Sequence, residues 1–330
     1  MAERGGTVGP TAPGAAGIGR LSTRAAGAGT GTGSHPRHGR LREELIGWGF
    51  ALPFVIIFTL FMAGPILASA VMSFTDFGLR DLRNPLGTDF VGLANYQALL
   101  DDPKFRKAIV NTAYFVIVGV PLTLVLGLAA AVALDRGIRR FRTLFRVGYY
   151  LPVVTSIVAI AVVWRFLLNP DQGLLNMLLA GLGIKGPAWL ADPLLAMPSI
   201  IAMAAWRNLG LAMIVFLAGL QTIPAQLYEA ASIDGAGRWQ AFRHVTLPLL
   251  RPTILFLVVI TTIGYLQLFE EPFVMTEGGP LDQTLSISMY MYQQGFEFFN
   301  QGYAAAIAWI LFILVAIVAI AQFRLLRSET

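Results

Sequence analysis

The 330-residue chain contains no cysteine, only three histidines and few charged side chains. Without cysteine it can form neither a disulfide nor a thiol nucleophile. His35, His38 and His244 are scattered, so we expect no metal site and no histidine-based acid–base site. Asp, Glu, Lys and Arg make up 13% of the residues, whereas a soluble domain carries about 25%. This deficit argues against an ordinary soluble protein.

The sequence is instead rich in long apolar runs, each long enough to cross a bilayer at about 20 residues. Within lipid such runs must be helical, because every backbone polar group needs a partner inside the segment. We therefore predict an all-α membrane protein with six transmembrane helices. The runs lie near residues 46–73, 108–134, 143–168, 196–220, 253–276 and 303–326.

Arginine is concentrated in four regions: before the first run, between the second and third, between the fourth and fifth, and after the sixth. These arginines are Arg37, Arg40 and Arg42; Arg136, Arg139, Arg140, Arg142 and Arg146; Arg238, Arg243 and Arg251; and Arg324 and Arg327. Six alternating helices place all four regions on one side, which is the cytoplasm by the positive-inside rule. Both termini are therefore predicted to be cytoplasmic. The net charge of +5 then reflects membrane topology, and we expect no nucleic-acid partner.

Residues 1–40 contain mainly Gly, Ala, Thr and Arg, too little apolar surface to fold. We predict a disordered cytoplasmic tail. The first apolar run is longer than the core of a cleaved secretory signal, about 7–15 residues, which favours a membrane anchor. The glycine-rich run at 27–33 lacks the Lys-Ser/Thr of a phosphate loop, and no such motif occurs elsewhere. If ATP drives this protein, another chain binds it.

A polar segment of about thirty residues, 222–252, separates the fourth and fifth apolar runs. We predict a helix–turn–helix, with Thr222 as N-cap and Pro224 in the first helical turn. Asp234-Gly235 is a turn signal. A second helix is expected from about Arg238 to Val245, ending before Leu247-Pro248.

This segment resembles the cytoplasmic EAA loop of binding-protein-dependent ABC importers. The match comprises Glu229-Ala230-Ala231, Asp234-Gly235-Ala236, Phe242, Leu247-Pro248 and Pro252, at the spacing of that family. The whole resemblance covers about residues 45–327. Several other stretches are similar to the carbohydrate-uptake permeases of the maltose type: residues 90–96, Asn111-Thr112, Leu151-Pro152, 164–166, 173–176 and 269–280.

The resemblance implies that residues 41–330 form a six-helix permease domain of the lactose, multiple-sugar or glycerol-phosphate kind, in a bacterial cell membrane. It implies a second permease with its own EAA loop, an ATPase dimer, an extracytoplasmic sugar-binding protein and a sugar substrate. This chain would bind no cofactor and would not be an enzyme, since ATP and Mg would sit on the ATPase. The residues implied to dock on the ATPase are Glu229, Ala230, Ala231, Asp234, Gly235 and Ala236.

Polar side chains at membrane depth are costly and therefore suggest function. The candidates for the substrate path are Trp164, Arg165, Trp206, Arg207, Asn208, Gln267, Glu270 and Glu271. Arg207 lies midway along the fourth run, and we expect it to face a polar cavity or to pair with Glu270 or Glu271. For Arg165 and Trp164 the alternative is an interfacial position, with Arg165 snorkelling to the membrane surface.

Two other function classes fit the sequence less well. A membrane glycosyltransferase needs a cluster of acids or histidines near a membrane face, whereas Glu270-Glu271 is the sole acidic pair within a run. An ion-coupled sugar carrier often shows internal repeats, and none is visible. Neither class explains the segment 222–252.

Overall fold

The computed structural model describes residues 37–84, 87–136 and 142–327, which contain helices and no named strand. The chain divides into two units, residues 1–58 and 59–330. The described part of the first unit is helix α1, Arg37–Phe58. Residues 37–40, assigned to the tail from the sequence, belong to this helix, and the rest of the predicted tail lies outside the described residues.

The second unit is built from three long helices and a series of shorter ones. The long helices are α4 (Pro103–Arg136), α8 (Ala196–Gln221) and α15 (Gln301–Arg327). The shorter ones are α2 (Gly64–Met72), α3 (Ala94–Asp101), α5 (Arg142–Val154), α6 (Ile157–Leu167), α7 (Leu174–Gly181), α9 (Ala225–Ile233), α10 (Arg238–Ala241), α11 (Leu247–Leu249), α12 (Arg251–Leu266), α13 (Glu270–Met275) and α14 (Ile287–Tyr292).

Four helical segments of the described chain are long and apolar enough to cross a membrane: Ile46–Met72, Pro103–Asp135, Ala196–Gln221 and Gln301–Arg324. Two helix pairs reach this standard only together. They are Thr143–Val154 with Ile157–Leu167, bent by 101°, and Arg238–Leu249 with Arg251–Leu266, bent by 65°. Counting each pair as one span gives the six spans predicted from hydropathy. The prediction of an unbroken helix over 253–276 is wrong, because α12 ends at Leu266 and α13 begins at Glu270.

Small residues allow α8 to pack closely against its neighbours. A side chain at Gly127 of α4 would stand 2.6 Å from the Ala212 side chain, and one at Gly210 would stand 2.0 Å from the backbone oxygen of Tyr149 on α5. Such close backbone approach is how membrane helices gain dispersion contacts without a hydrophobic driving force. The fully buried rings of Phe115 and Phe216 fill the core between these helices.

Asp102 fixes the start of α4. Its Oδ1 accepts hydrogen bonds from the backbone N–H groups of Lys104 (2.8 Å) and Phe105 (3.3 Å), as an N-cap does. Its Oδ2 accepts from the hydroxyls of Tyr290 and Tyr303, the latter at 2.8 Å. Burial raises the pKa of Asp102, but these four hydrogen bonds outweigh burial, and the net pKa lies below its ordinary value. This carboxylate therefore joins the start of α4 to α14 and α15.

The polar segment forms the predicted helix–turn–helix with different boundaries. Helix α9 begins after Pro224, which is itself the N-cap, while Thr222 ends α8 by donating to the Gly219 carbonyl. The predicted N-cap role of Thr222 is therefore wrong. The second helix also does not stop before Leu247: α10 continues through a π-helical turn, Phe242–Thr246, into α11, and Pro248 stands in the first turn of α11.

Candidate functional site

A break in the fifth span positions the candidate site. Residues 267–269 are non-helical between α12 and α13, and the Leu268 carbonyl accepts a hydrogen bond from the Ser286 hydroxyl. Irregular backbone at membrane depth is tolerated only where it is buried in protein or lines a cavity. At this break it does both, since Leu268 is buried while Gln267 is exposed.

The break opens onto a cavity of about 350 Å³ between α8, α12 and α13. Five of the substrate-path candidates line it: Arg207, Asn208, Gln267, Glu270 and Glu271. The sequence places these residues on two stretches, 207–208 and 267–271, and the fold brings the two together at the break in the fifth span. The remaining lining is mostly apolar, with Thr261 and Tyr265 as further polar members.

The charged groups of the cavity are close but not ion-paired. Among the described residues no carboxylate lies within 4.0 Å of the Arg207 guanidinium, and the buried Nε of Arg207 has no hydrogen-bond partner. Glu271 is only 7% exposed. Of the two expectations for Arg207, the structure gives the polar cavity and not the pair with Glu270 or Glu271. The cavity offers the Arg207 guanidinium, the Gln267 carboxamide and two carboxyl groups to a ligand.

Asn208 is held by its own helix and by the neighbouring one. Its Nδ2 donates to the Ala204 carbonyl at 3.0 Å and to the Tyr265 hydroxyl at 3.4 Å. The Tyr265 hydroxyl lies 2.8 Å from that of Thr123, which in turn donates to the Gly119 carbonyl. This chain of hydrogen bonds fixes the orientation of Asn208 at the cavity wall.

The other three candidates lie elsewhere. The rings of Trp164 and Trp206 pack against each other with centroids 5.7 Å apart, and neither ring lines the cavity. Arg165 lines a second cavity, of about 320 Å³. There its Nη1 stands 4.0 Å from Glu277 Oε1 and donates to the Val274 carbonyl at 3.4 Å. The side chain of Arg165 is exposed, and its interfacial position stays a prediction.

Besides Thr261, the cavity contains one polar residue that is not among the sequence candidates, Tyr265. It is buried, its ring packs on Phe115 at 4.8 Å, and its hydroxyl connects Asn208 to Thr123. Its signal in the sequence is a hydroxyl-bearing residue inside an apolar run. That signal is weak, because a tyrosine at a membrane interface looks the same.

The helix–turn–helix presents its turn on the surface. Glu229, Asp234 and Gly235 are exposed. Gly235 has φ of +78°, a conformation that glycine adopts without steric cost. The backbone N–H groups of Gly235 and Ala236 donate to the carbonyls of Ser232 and Ala231, at 3.1 and 2.8 Å. These two bonds form a Schellman motif at the C-terminus of α9. Beyond the two chain neighbours, no atom of the described residues lies within 4 Å of the position that a Cβ would take at Gly235, so the turn is accessible to a partner.

Comparison with known proteins gives the family. Residues 119–328 match the family described as "Binding-protein-dependent transport system inner membrane component". The chain is 38% identical over 292 residues to the lactose transport system permease protein LacF of Rhizobium radiobacter, covering 87% of this chain and 95% of that one. It is 34% identical over 285 residues to the arabinooligosaccharides transport system permease protein AraP of Halalkalibacterium halodurans, covering 86% and 88%.

A solved structure shares the fold. It is a crystal structure of a bacterial alginate ABC transporter in complex with an alginate pentasaccharide-bound periplasmic protein. The similarity has a TM-score of 0.74 at 25% identity, over 88% of this chain and 97% of the matched one. With the match over residues 119–328 and the two permease relatives, the chain belongs to the family of inner-membrane components of binding-protein-dependent transport systems.

Proposed function

We propose that this chain is the membrane-spanning permease subunit of an ATP-driven importer, and that its substrate is an oligosaccharide or sugar derivative. The observation that carries the proposal is the cavity at the broken fifth span, which gathers Arg207, Asn208, Gln267, Glu270 and Glu271. Hydroxyl-rich ligands need donors and acceptors together, and this lining supplies both. The names of LacF and AraP, which refer to lactose and arabinooligosaccharides, support a sugar as the class.

Helices α9 and α10 are the proposed contact with the ATPase. Their turn is exposed, and Glu229 with Asp234 gives it negative charge. Ala230, Ala231 and Ala236 have side chains small enough for close approach to a partner. ATP and Mg would be bound by an ATPase dimer, and a second permease with its own helix–turn–helix would complete the assembly. Both chain termini would then be cytoplasmic, as the arginine distribution predicts.

The opposite face would receive the sugar from an extracytoplasmic binding protein. The related alginate transporter, solved with a periplasmic protein bound, supports this arrangement. Neither an ion-coupled carrier nor a glycosyltransferase is supported by the family match.

The test is uptake by the complete transporter reconstituted in proteoliposomes. Labelled lactose and arabino-oligosaccharides would be offered with the binding protein outside and ATP inside. We expect uptake that requires both and that survives a protonophore. Uptake that continues without ATP, or stops when the proton gradient collapses, would overturn the proposal in favour of ion coupling.

A further inference from the structure

A second polar pocket shares no lining residue with the central cavity and is lined by residues from 76–95 and 290–303. Its volume is about 410 Å³. The polar residues that line it are Asp76, Asn95, Tyr290, Gln294, Asn300 and Tyr303. In the described part of the chain its lining includes no lysine, arginine or histidine. The arginine distribution predicts that the residues lining this pocket face the outside.

Several hydrogen-bond donors of the pocket are already used within the protein. Asn95 donates twice, to the carbonyls of Ser73 (3.0 Å) and Thr75 (2.8 Å). Tyr290 and Tyr303 both donate to Asp102, as described above.

The remaining carboxamides also bond within the pocket. Asn300 donates one of its two amide hydrogens to the Oε1 of Gln294 at 3.1 Å. The donors of Asn95, Tyr290 and Tyr303 are therefore engaged, while the carboxamides of Asn300 and Gln294 keep free N–H groups.

The acceptors, in contrast, remain available. The Asn95 side-chain oxygen receives no hydrogen bond from the described residues. Asp76 is exposed, and only its Oδ1 is engaged, by the backbone N–H of Asp89 at 3.1 Å. Asp102 behind the tyrosines adds negative charge, because its pKa is held below the ordinary value. A pocket of acceptors around a carboxylate selects a cationic group with several N–H donors.

The backbone beside the pocket is specialised for this position. Gln294 lies in a π-helical turn, Gln293–Glu297, a feature that is frequent at functional sites. Phe299 has φ of +57°, a strained conformation for a bulky residue. The chain is held there by the Asn300 N–H, which donates to the Gln294 carbonyl at 2.8 Å. Strain of this kind persists where the surroundings impose it, and here it places Asn300 at the pocket.

We propose that this pocket receives a lysine or arginine side chain of the extracytoplasmic binding protein and so fixes its docking position. The inference rests on the proposed function, which supplies a partner on this face. An ammonium or guanidinium group would bond to Asp76 and to the Asn95 oxygen. A sugar unit fits less well, because its hydroxyls carry no positive charge to balance Asp76 and Asp102.

The test uses the complete transporter in proteoliposomes with the purified binding protein of the same system. The half-saturating concentration of sugar-loaded binding protein is measured for the unsubstituted chain and for Asp76→Asn. We expect it to rise about tenfold, while the uptake rate at saturation stays unchanged. Asp76→Glu keeps the charge, so its half-saturating concentration should lie between those of the unsubstituted chain and Asp76→Asn. The difference in half-saturating concentration between Asp76→Asn and the unsubstituted chain should be smaller at high salt, since screening weakens exposed charge pairs.

Asp89→Asn is the matched control, because it removes an equal charge close by without lining the pocket. An unchanged half-saturation in Asp76→Asn, or an equal rise in Asp89→Asn, would overturn the proposal. A changed KM for sugar at saturating binding protein would also overturn it, since the pocket would then hold sugar. If the unsubstituted chain shows no uptake dependent on the binding protein, the proposed function itself fails, and this result is distinct from the others.

Discussion

The hydroxyl oxygens of Thr123 and Tyr265 lie 2.8 Å apart although 142 residues separate them in the sequence. Thr123 donates its proton to the Gly119 carbonyl, so Tyr265 must donate to Thr123. The Tyr265 oxygen is then free to accept from Asn208. These hydrogen bonds, each with a defined donor, connect α4, α12 and α8. The last residue in the series, Asn208, lines the cavity.

Tyr265→Phe should lower both stability and sugar affinity. The change leaves Asn208 without its second acceptor and deprives Thr123 of a donor, at a cost of roughly 1 kcal/mol in the free energy of unfolding. We expect a lower Tm for the purified complex and an altered KM with normal subunit assembly. Thr123→Val separates the two effects, because it removes the bond without touching the cavity. Equal KM values in Tyr265→Phe and the unsubstituted chain would contradict a role for this bond at the cavity.

Arg207→Ala should raise the KM for sugar about tenfold or more, since a hydrogen bond to a charged group contributes roughly 1.5–3 kcal/mol. Asn208→Ala should raise it less, since a bond to a neutral group contributes roughly 0.5–1.5 kcal/mol. Assembly with the ATPase should be normal. Arg165→Ala is the matched control, because Arg165 lines a different cavity. Transport kinetics would be measured for each variant. If Arg207→Leu transports sugar with unchanged kinetics, the cavity is not the binding site.

Substitutions at Gly235 should reduce coupling in proportion to their cost in the left-handed conformation. Asparagine adopts φ near +78° more readily than a β-branched residue, so Gly235→Val should be more harmful than Gly235→Asn. Co-purification with the ATPase and sugar uptake are the measurements. Gly237→Val is the control, since Gly237 has an ordinary φ of −70°.

Glu229→Lys should abolish docking on the ATPase because it reverses the charge of an exposed side chain without changing the backbone.

Single cysteines should report the topology, a clean assay because the native chain contains none. Cysteines at Gly39 or Ser328 should resist an impermeant thiol reagent in intact cells. Cysteines at Gly87 or Asp171 should react. Gly278 is a poorer position, because its φ of +85° strains any side chain. Labelling in the reverse pattern would invert the predicted orientation.

The Asp102 hydrogen bonds should make stability depend on acid pH. The pKa of Asp102 in the folded chain lies below its ordinary value of 3.8. Its contribution is therefore complete above about pH 3.8 and is lost as the pH falls through the folded pKa. The Tm of the unsubstituted chain should fall more steeply below this pH than that of the Tyr290→Phe/Tyr303→Phe double variant. If the Tm of the two proteins falls with pH at the same rate, the hydrogen bonds from Tyr290 and Tyr303 do not lower the pKa of Asp102.

Hydropathy predicted the six spans because length and apolar composition are local properties. The interruption at residues 267–269 is not local, since the freed backbone is compensated by Ser286, which donates to Leu268. The prediction from the apolar run 253–276 therefore extended the fifth helix to residue 276. Thr222 was misplaced for a related reason: it ends one helix two residues before the next begins, and its side chain bonds backwards to Gly219.

The candidate site was partly predictable. The cost of polar groups at membrane depth selected Arg207 and Asn208, which the structure places in the cavity. The same argument also selected Trp164 and Arg165, which lie away from it. Asp102 before Pro103 is a capping signal that the sequence contains. What the sequence does not show is that Tyr290 and Tyr303 meet this carboxylate from nearly 200 residues away.

Helix α12 runs without interruption from Arg251, just after the helix–turn–helix, to Leu266 at the cavity. Its 16 residues span about 24 Å at 1.5 Å per residue. A tilt of about 5° at its first residue would move its last residue by roughly 2 Å, more than separates a formed hydrogen bond from a broken one. A small rotation imposed at the membrane surface would therefore be enough to change which hydroxyl groups the cavity can hold.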